Sequence, residues 1–123
     1  MYESTNTWKA ALQDMSRYVR EINVANGWFD RDRTFGDDVA LLHSEVSEAF
    51  EAYREHGFED FTECSTPSSS NPPKPEGIGS ELADVLIRLL DTCHRYDIDL
   101  CAEFVRKLTY NESRAYRHGN KRV

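Results

Sequence analysis

The chain has 123 residues, with 22 acidic side chains against 15 Lys and Arg and a formal net charge of −7. Duplex nucleic acid and an anionic bilayer both select a basic surface, so this balance speaks against either as a partner. No apolar run is long enough to span a bilayer, and the opening MYESTNTWKA lacks the basic and apolar regions of a signal peptide.

The length fits one domain, 1–123, with a real but small core. A first helix is expected from about Thr7 to about Ala25, with Trp8, Ala11, Leu12, Met15, Tyr18, Val19 and Ile22 as its apolar stripe. Thr7 suits the N-cap, and Asn26-Gly27 suits a left-handed stop. GWFDRDRTFGDD then reads as a loop rich in aromatics. A second helix is expected from Asp37 or Asp38 to Gly57, its inward stripe being Val39, Leu42, Val46, Ala49, Phe50 and Tyr53.

All four prolines fall in the next stretch, at Pro67, Pro72, Pro73 and Pro75. Residues 62–77 therefore read as a long, flexible Pro/Ser-rich connection that can be neither helix nor central strand. A third helix follows, from about Ser80 to Tyr96, and its wide apolar arc predicts burial on more than one side. Asp99 is a good N-cap for a fourth helix reaching about Tyr116, with Cys101, Phe104, Val105 and Leu108 as its stripe. The three cysteines, Cys64, Cys93 and Cys101, form no CxxC, so a disulfide framework is not expected and a reducing cytoplasm is. Four amphipathic helices, one long loop and no strand predict an all-α, four-helix bundle-like fold.

Two acidic doublets stand out within that frame: Glu45-x-x-Glu48 on the second helix and Glu81-x-x-Asp84 on the third. An i, i+3 pair shares one helix face, so two facing doublets would gather four carboxylates in a small volume. Such a group needs a cation, and hard oxygen donors favour Mg²⁺ or Mn²⁺. Glu45 falls at the edge of its helix's apolar arc, and Glu48 lies nearer solvent. Glu81, Asp84, Arg88 and Asp91 form one polar strip, which suits a cleft at a bundle edge. The same spacing also arises on an ordinary solvated face.

The C-terminal end turns basic, and Lys107, Asn111, Arg114 and His118 share one helical stripe able to hold phosphate oxygens. Cations there also complement a helix dipole without any ligand. Trp28 and Phe29 offer aromatic faces for stacking on a base, or plugs for the bundle. Asp91-x-x-His94 is half of a di-iron bundle motif, and its second copy is missing.

SEVSEAFEAYRE, GSELADVLIRLLD, the tail KLTYNESRAYRHGNK and the NGWFD loop, in this order, resemble the MazG-like nucleoside triphosphate pyrophosphohydrolases. That family's pattern is ExxE, a variable spacer and ExxD. The likeness runs from about Ile22 to Arg122 and contains one motif copy. Ser44 stands where many relatives carry a further Glu, and Ala115 where a Pro is common.

The resemblance implies an all-α hydrolase that splits a nucleoside triphosphate into a monophosphate and pyrophosphate, with Mg²⁺ as cofactor. It assigns Glu45, Glu48, Glu81 and Asp84 to metal binding and catalysis. Lys107, Arg114 and Asn111 would hold the phosphates, and Trp28 or Phe29 the base. It also implies a homodimer or homotetramer. A non-catalytic helical interaction module and a redox di-metal bundle are the competing readings of the same residues.

Overall fold

A computed structural model describes residues 5–28, 32–63, 72–114 and 122. Met1–Ser4, residues 29–31, 64–71 and 115–121, and Val123 lie outside the described residues, and Phe29, Cys64 and His118 with them. Four helices carry the chain: α1 (Thr5–Ala25), α2 (Phe35–His56), α3 (Ile78–Arg95) and α4 (Leu100–Ser113). Packing runs in a row, with α3 set against both α2 and α1, and α4 set against α1. The fold is therefore mostly helical and bundle-like, as expected.

The ends of these helices follow local chemistry. Gly27 has φ +81°, and the Trp28 N–H donates to the Asn23 carbonyl at 3.0 Å, which closes α1 as the Asn26-Gly27 signal predicts. α2 starts at Phe35, before the expected Asp37, because Thr34 and Asp37 form a capping box. The Asp37 N–H donates to Thr34 Oγ1 at 3.1 Å, and the Thr34 N–H donates to Asp37 Oδ2 at 2.9 Å. Hydrogen bonding from the Thr34 backbone N–H, and then from its side chain, holds the Asp37 carboxyl below its usual pKa. Asp99 caps α4 as expected, accepting from the Ala102 N–H at 3.0 Å. α4 ends at Ser113, short of Tyr116, and Arg114 is already extended at φ −78° and ψ 150°.

The connection between α2 and α3 corrects the expectation of a strandless loop. β1 (Phe61–Glu63) and β2 (Lys74–Glu76) pair antiparallel, with Phe61 opposite Glu76 and Glu63 opposite Lys74. Pro75 is tolerated because both members of a two-stranded ribbon are edge strands. Asp60, just before β1, reaches across nineteen positions to accept the Gly79 N–H at 2.9 Å, so it caps the start of α3. Gly77 makes this approach feasible. Its φ is +110°, and a Cβ there would lie 2.6 Å from the Glu59 carbonyl oxygen.

The core is smaller than the apolar stripes predict. Among the described residues, Ala49, Leu90, Cys93 and Cys101 are its buried apolar side chains. Val46, Phe50 and Tyr53, expected to face inward on α2, are exposed, Phe50 by 62 %. Leu82, Leu86 and Ile87 likewise leave α3 uncovered along part of its arc. A cavity of about 690 Å³ opens between α1 and the α3–α4 turn, lined in part by Leu90, Cys93 and Cys101.

Buried charge holds α2 to α3. Asp38 is 3 % exposed and Asp91 5 %. Arg33 lies between them, with Nε 3.3 Å from Asp38 Oδ1 and an Nη 3.6 Å from Asp91 Oδ2. Arg95 approaches the same two carboxylates at 3.8 and 3.5 Å. The Tyr96 hydroxyl donates to Asp38 Oδ2 at 2.6 Å, and its ring meets Phe35 edge-on at 5.1 Å. The hydrogen bond to Asp38 raises the Tyr96 pKa. Two anions and two cations thus alternate where the start of α2 meets the end of α3. Removing one carboxylate leaves two largely buried guanidinium groups sharing a single anion, and the Tyr96 hydroxyl without its acceptor, so Asp38→Ala is expected to lose about 3–5 kcal/mol in urea denaturation.

Candidate functional site

α2 and α3 run antiparallel from this clamp, which sets the two acidic doublets opposite one another. Glu45, Glu81 and Asp84 each present a carboxylate oxygen within 4.8 Å of the others. Glu45 is 8 % exposed. Glu48 is exposed at the mouth, as its place on the helix predicts.

Mutual repulsion and burial mark the group. The Glu48 carboxyl is raised above its usual pKa by hydrogen bonding to Glu45 and by that group's charge. Burial raises Glu81, and the charge of Asp84 adds to it. Burial raises Asp84 too, with Glu45 adding and Arg88 and Lys74 opposing. Glu81 lies in the first turn of α3, where the helix dipole offsets part of its cost.

Three cationic side chains that the spacing did not assign stand beside the carboxylates. Arg88 donates from Nε to Glu45 Oε1 at 3.0 Å. Its guanidinium carbon also lies 5.8 Å from the centre of the Trp28 ring. Lys74 reaches the region from β2 and pairs with Glu76 at 2.9 Å. Arg33, Asn23, Trp28, Glu45, Asp84, Arg88 and Asp91 line a cavity of about 180 Å³ next to the acidic group. Trp28, half-exposed, is thus set beside the carboxylates. Arg33, Lys74 and Glu76 were hidden because loop residues carry no periodicity, although the Thr34-x-x-Asp37 cap could have placed Arg33 at a helix start.

The basic stripe is not part of this cluster within one chain. Lys107 and Arg114 both lie over the Tyr110 ring, at 5.7 and 5.4 Å. Asn111 is on the same stretch of α4 and exposed. Arg114 is outside the helix, so the four-residue stripe is broken there. α4 packs on the N-terminal part of α1, where Trp8 meets Phe104 at 6.0 Å and Thr5 shares a cavity wall with Thr109. Asn23 and Trp28, at the other end of α1, border the carboxylates. Fifteen helical residues separate Trp8 from Asn23, which is about 22 Å. Asp91 is paired with Arg33 and Arg95, and His94 is exposed at a different cavity, so the half di-iron motif gathers no ligand set.

The donor set fits a hard divalent cation. Mg²⁺ takes oxygen at about 2.0–2.1 Å, so ligand oxygens lie up to about 4.2 Å apart across it. Three oxygens within 4.8 Å need only small side-chain rotations to close on such an ion. Glu45, Glu81 and Asp84 would hold it, with Glu48 alongside. No protein-family model, no curated protein and no solved structure matches this chain.

The raised carboxyls fix the sign of one pH effect. In the folded state Glu48, Glu81 and Asp84 keep protons to higher pH than in the unfolded chain. Their contribution is full below the usual carboxylate range near 4, and it is lost as pH rises through the raised values. Metal-free protein is therefore expected to lose melting temperature through that window. Glu81→Gln should flatten the decline and raise the melting temperature at pH 7, read by thermal unfolding in a chelator.

Proposed function

We propose that the chain is a MazG-like nucleoside triphosphate pyrophosphohydrolase acting on nucleoside or deoxynucleoside triphosphates. The observation that carries this reading is the convergence of Glu45, Glu81 and Asp84, from an ExxE and an ExxD, beside an aromatic-walled cavity. A divalent cation held there would neutralise polyphosphate charge and lower the pKa of a coordinated water.

The chain's own groups would do the rest. Glu48 is the outermost of the four carboxylates and its pKa is raised, so it is suited to accept the proton of an attacking water. Trp28 offers a ring at the cavity wall on which a base can stack. Arg88 and Arg33 line the same cavity; Arg88 would supply positive charge near the phosphates, while Arg33 stays held between Asp38 and Asp91. Mg²⁺ is the expected cofactor, with Mn²⁺ able to replace it. With Mg²⁺, purified protein is expected to release pyrophosphate, not phosphate, from at least one member of a panel of common NTPs and dNTPs. Glu48→Gln and Asp84→Ala should reduce that rate by at least about a hundredfold with the fold retained by circular dichroism.

We further propose that the working form is a homodimer or homotetramer. Val46 and Phe50 on α2 and Leu82, Leu86 and Ile87 on α3 leave apolar surface uncovered. Phe50, Tyr53 and Phe58 form an exposed run of touching rings, with centroids 6.3 and 5.1 Å apart. Self-association would also offer the basic stripe a route to the carboxylates of another copy. Light scattering is expected to give a mass that is a multiple of 14.2 kDa, and Phe50→Asp to lower it.

The same apolar surface favours a second reading, a helical module that binds a different protein without catalysis. Under that reading the four carboxylates can be replaced by Ala without loss of function, and no divalent cation raises the melting temperature.

A further inference from the structure

We propose that Arg88 is an exchangeable counter-ion: it holds Glu45 while no metal is bound, and is released to a polyphosphate oxygen when a divalent cation takes that carboxylate. This rests on the reading of the site as a metal–polyphosphate centre.

The geometry supplies the conflict that drives the exchange. Arg88 Nε is 3.0 Å from Glu45 Oε1, and Glu45 is one of the three converging ligands. A cation drawing Glu45 toward Glu81 and Asp84 therefore competes with the guanidinium for the same buried carboxylate. The other groups around the site do not remove that competition. Glu48, Glu81, Asp84 and Glu76 are carboxylic acids and offer Glu45 no alternative counter-ion, and Lys74 is paired with Glu76. Arg33 is tied to Asp38 and Asp91, both buried, so it is not free to follow an incoming anion.

Arg88 has somewhere to go. Its side chain is 27 % exposed, and it lines the cavity of about 180 Å³ together with Trp28 and Asp84. A guanidinium carries five N–H donors in a planar fork that matches phosphate oxygens. Swinging from Glu45 into the cavity keeps it near the Trp28 ring, now 5.8 Å away. The two ligands then become coupled: the metal frees the cation that the polyphosphate needs. Coupling of this kind is reciprocal. It also disfavours a polyphosphate that arrives without metal, because Arg88 is then still engaged.

The test separates exchange from simple support of Glu45. Mn²⁺ alone, and the preformed Mn²⁺–tripolyphosphate complex, are each titrated calorimetrically into the wild type, Arg88→Gln and Arg88→Lys. Exchange requires opposite changes in Arg88→Gln: Mn²⁺ alone binds about tenfold tighter, and the complex about tenfold weaker. Arg88→Lys should lie between. If both affinities fall together, Arg88 only positions Glu45 and the proposal is overturned; if neither changes, it is overturned as well. If the wild type binds no Mn²⁺, the metal-centre reading itself fails, and the exchange with it. Circular dichroism and melting of each variant exclude a folding defect as the cause.

Discussion

Two buried carboxylates and two guanidiniums decide where everything else in this chain can be. Asp38 and Asp91 come from opposite ends of antiparallel helices, and each is nearly sealed from water. Such anions are tolerated only when partnered, and Arg33 and Arg95 partner both. The register of α2 against α3 is thereby set by charge as much as by apolar packing. That matters because the shared core is thin, with Leu90 as its one large, fully buried side chain among the described residues. A slip of one helical turn would leave these charges buried and unmatched. It would also part Glu45 from Glu81 and Asp84.

The clamp and the acidic group are opposite solutions on one helix pair. At the clamp, charge is balanced and closed. Two to three turns away, Glu45, Glu48, Glu81 and Asp84 are in excess, and three of them answer by holding protons more tightly. Arg88 and Lys74 relieve this only in part. A protein that stores repulsion beside a cavity, within reach of an aromatic ring, is arranged to gain from binding a cation. The stability given up locally is supported by the balanced charges further along the same helices.

Much of the helical frame was legible in the chain. Gly27 and Asp99 mark their helix ends by local chemistry that no tertiary contact overrides, and Glu45, read at the edge of the apolar arc and suited to an open cleft, is instead buried. The start of α2 was missed because Thr34-x-x-Asp37 uses Asp where the familiar box has Glu. The inward stripe failed at Phe50 and Tyr53 because periodicity reports which residues are apolar, not what covers them. The clamp was invisible because ion pairs between distant segments leave no spacing pattern. The acidic doublets were legible as a group, since i, i+3 geometry is intrinsic to a helix. Their separation from Lys107 and Arg114 was not, because it depends on which end of α1 receives α4.

The hairpin between α2 and α3 has one more consequence. β1 and β2 return the chain to Asp60, whose carboxylate fixes the first turn of α3 and so the place of Glu81. The strands that flank residues 64–71 are already paired, with Glu63 opposite Lys74. Each doubling of that span's length adds only about 0.6 kcal/mol of closure entropy. A change in the length of residues 64–71 therefore costs the carboxylates little, because α3 takes its start from Asp60 and the paired strands on either side of that span.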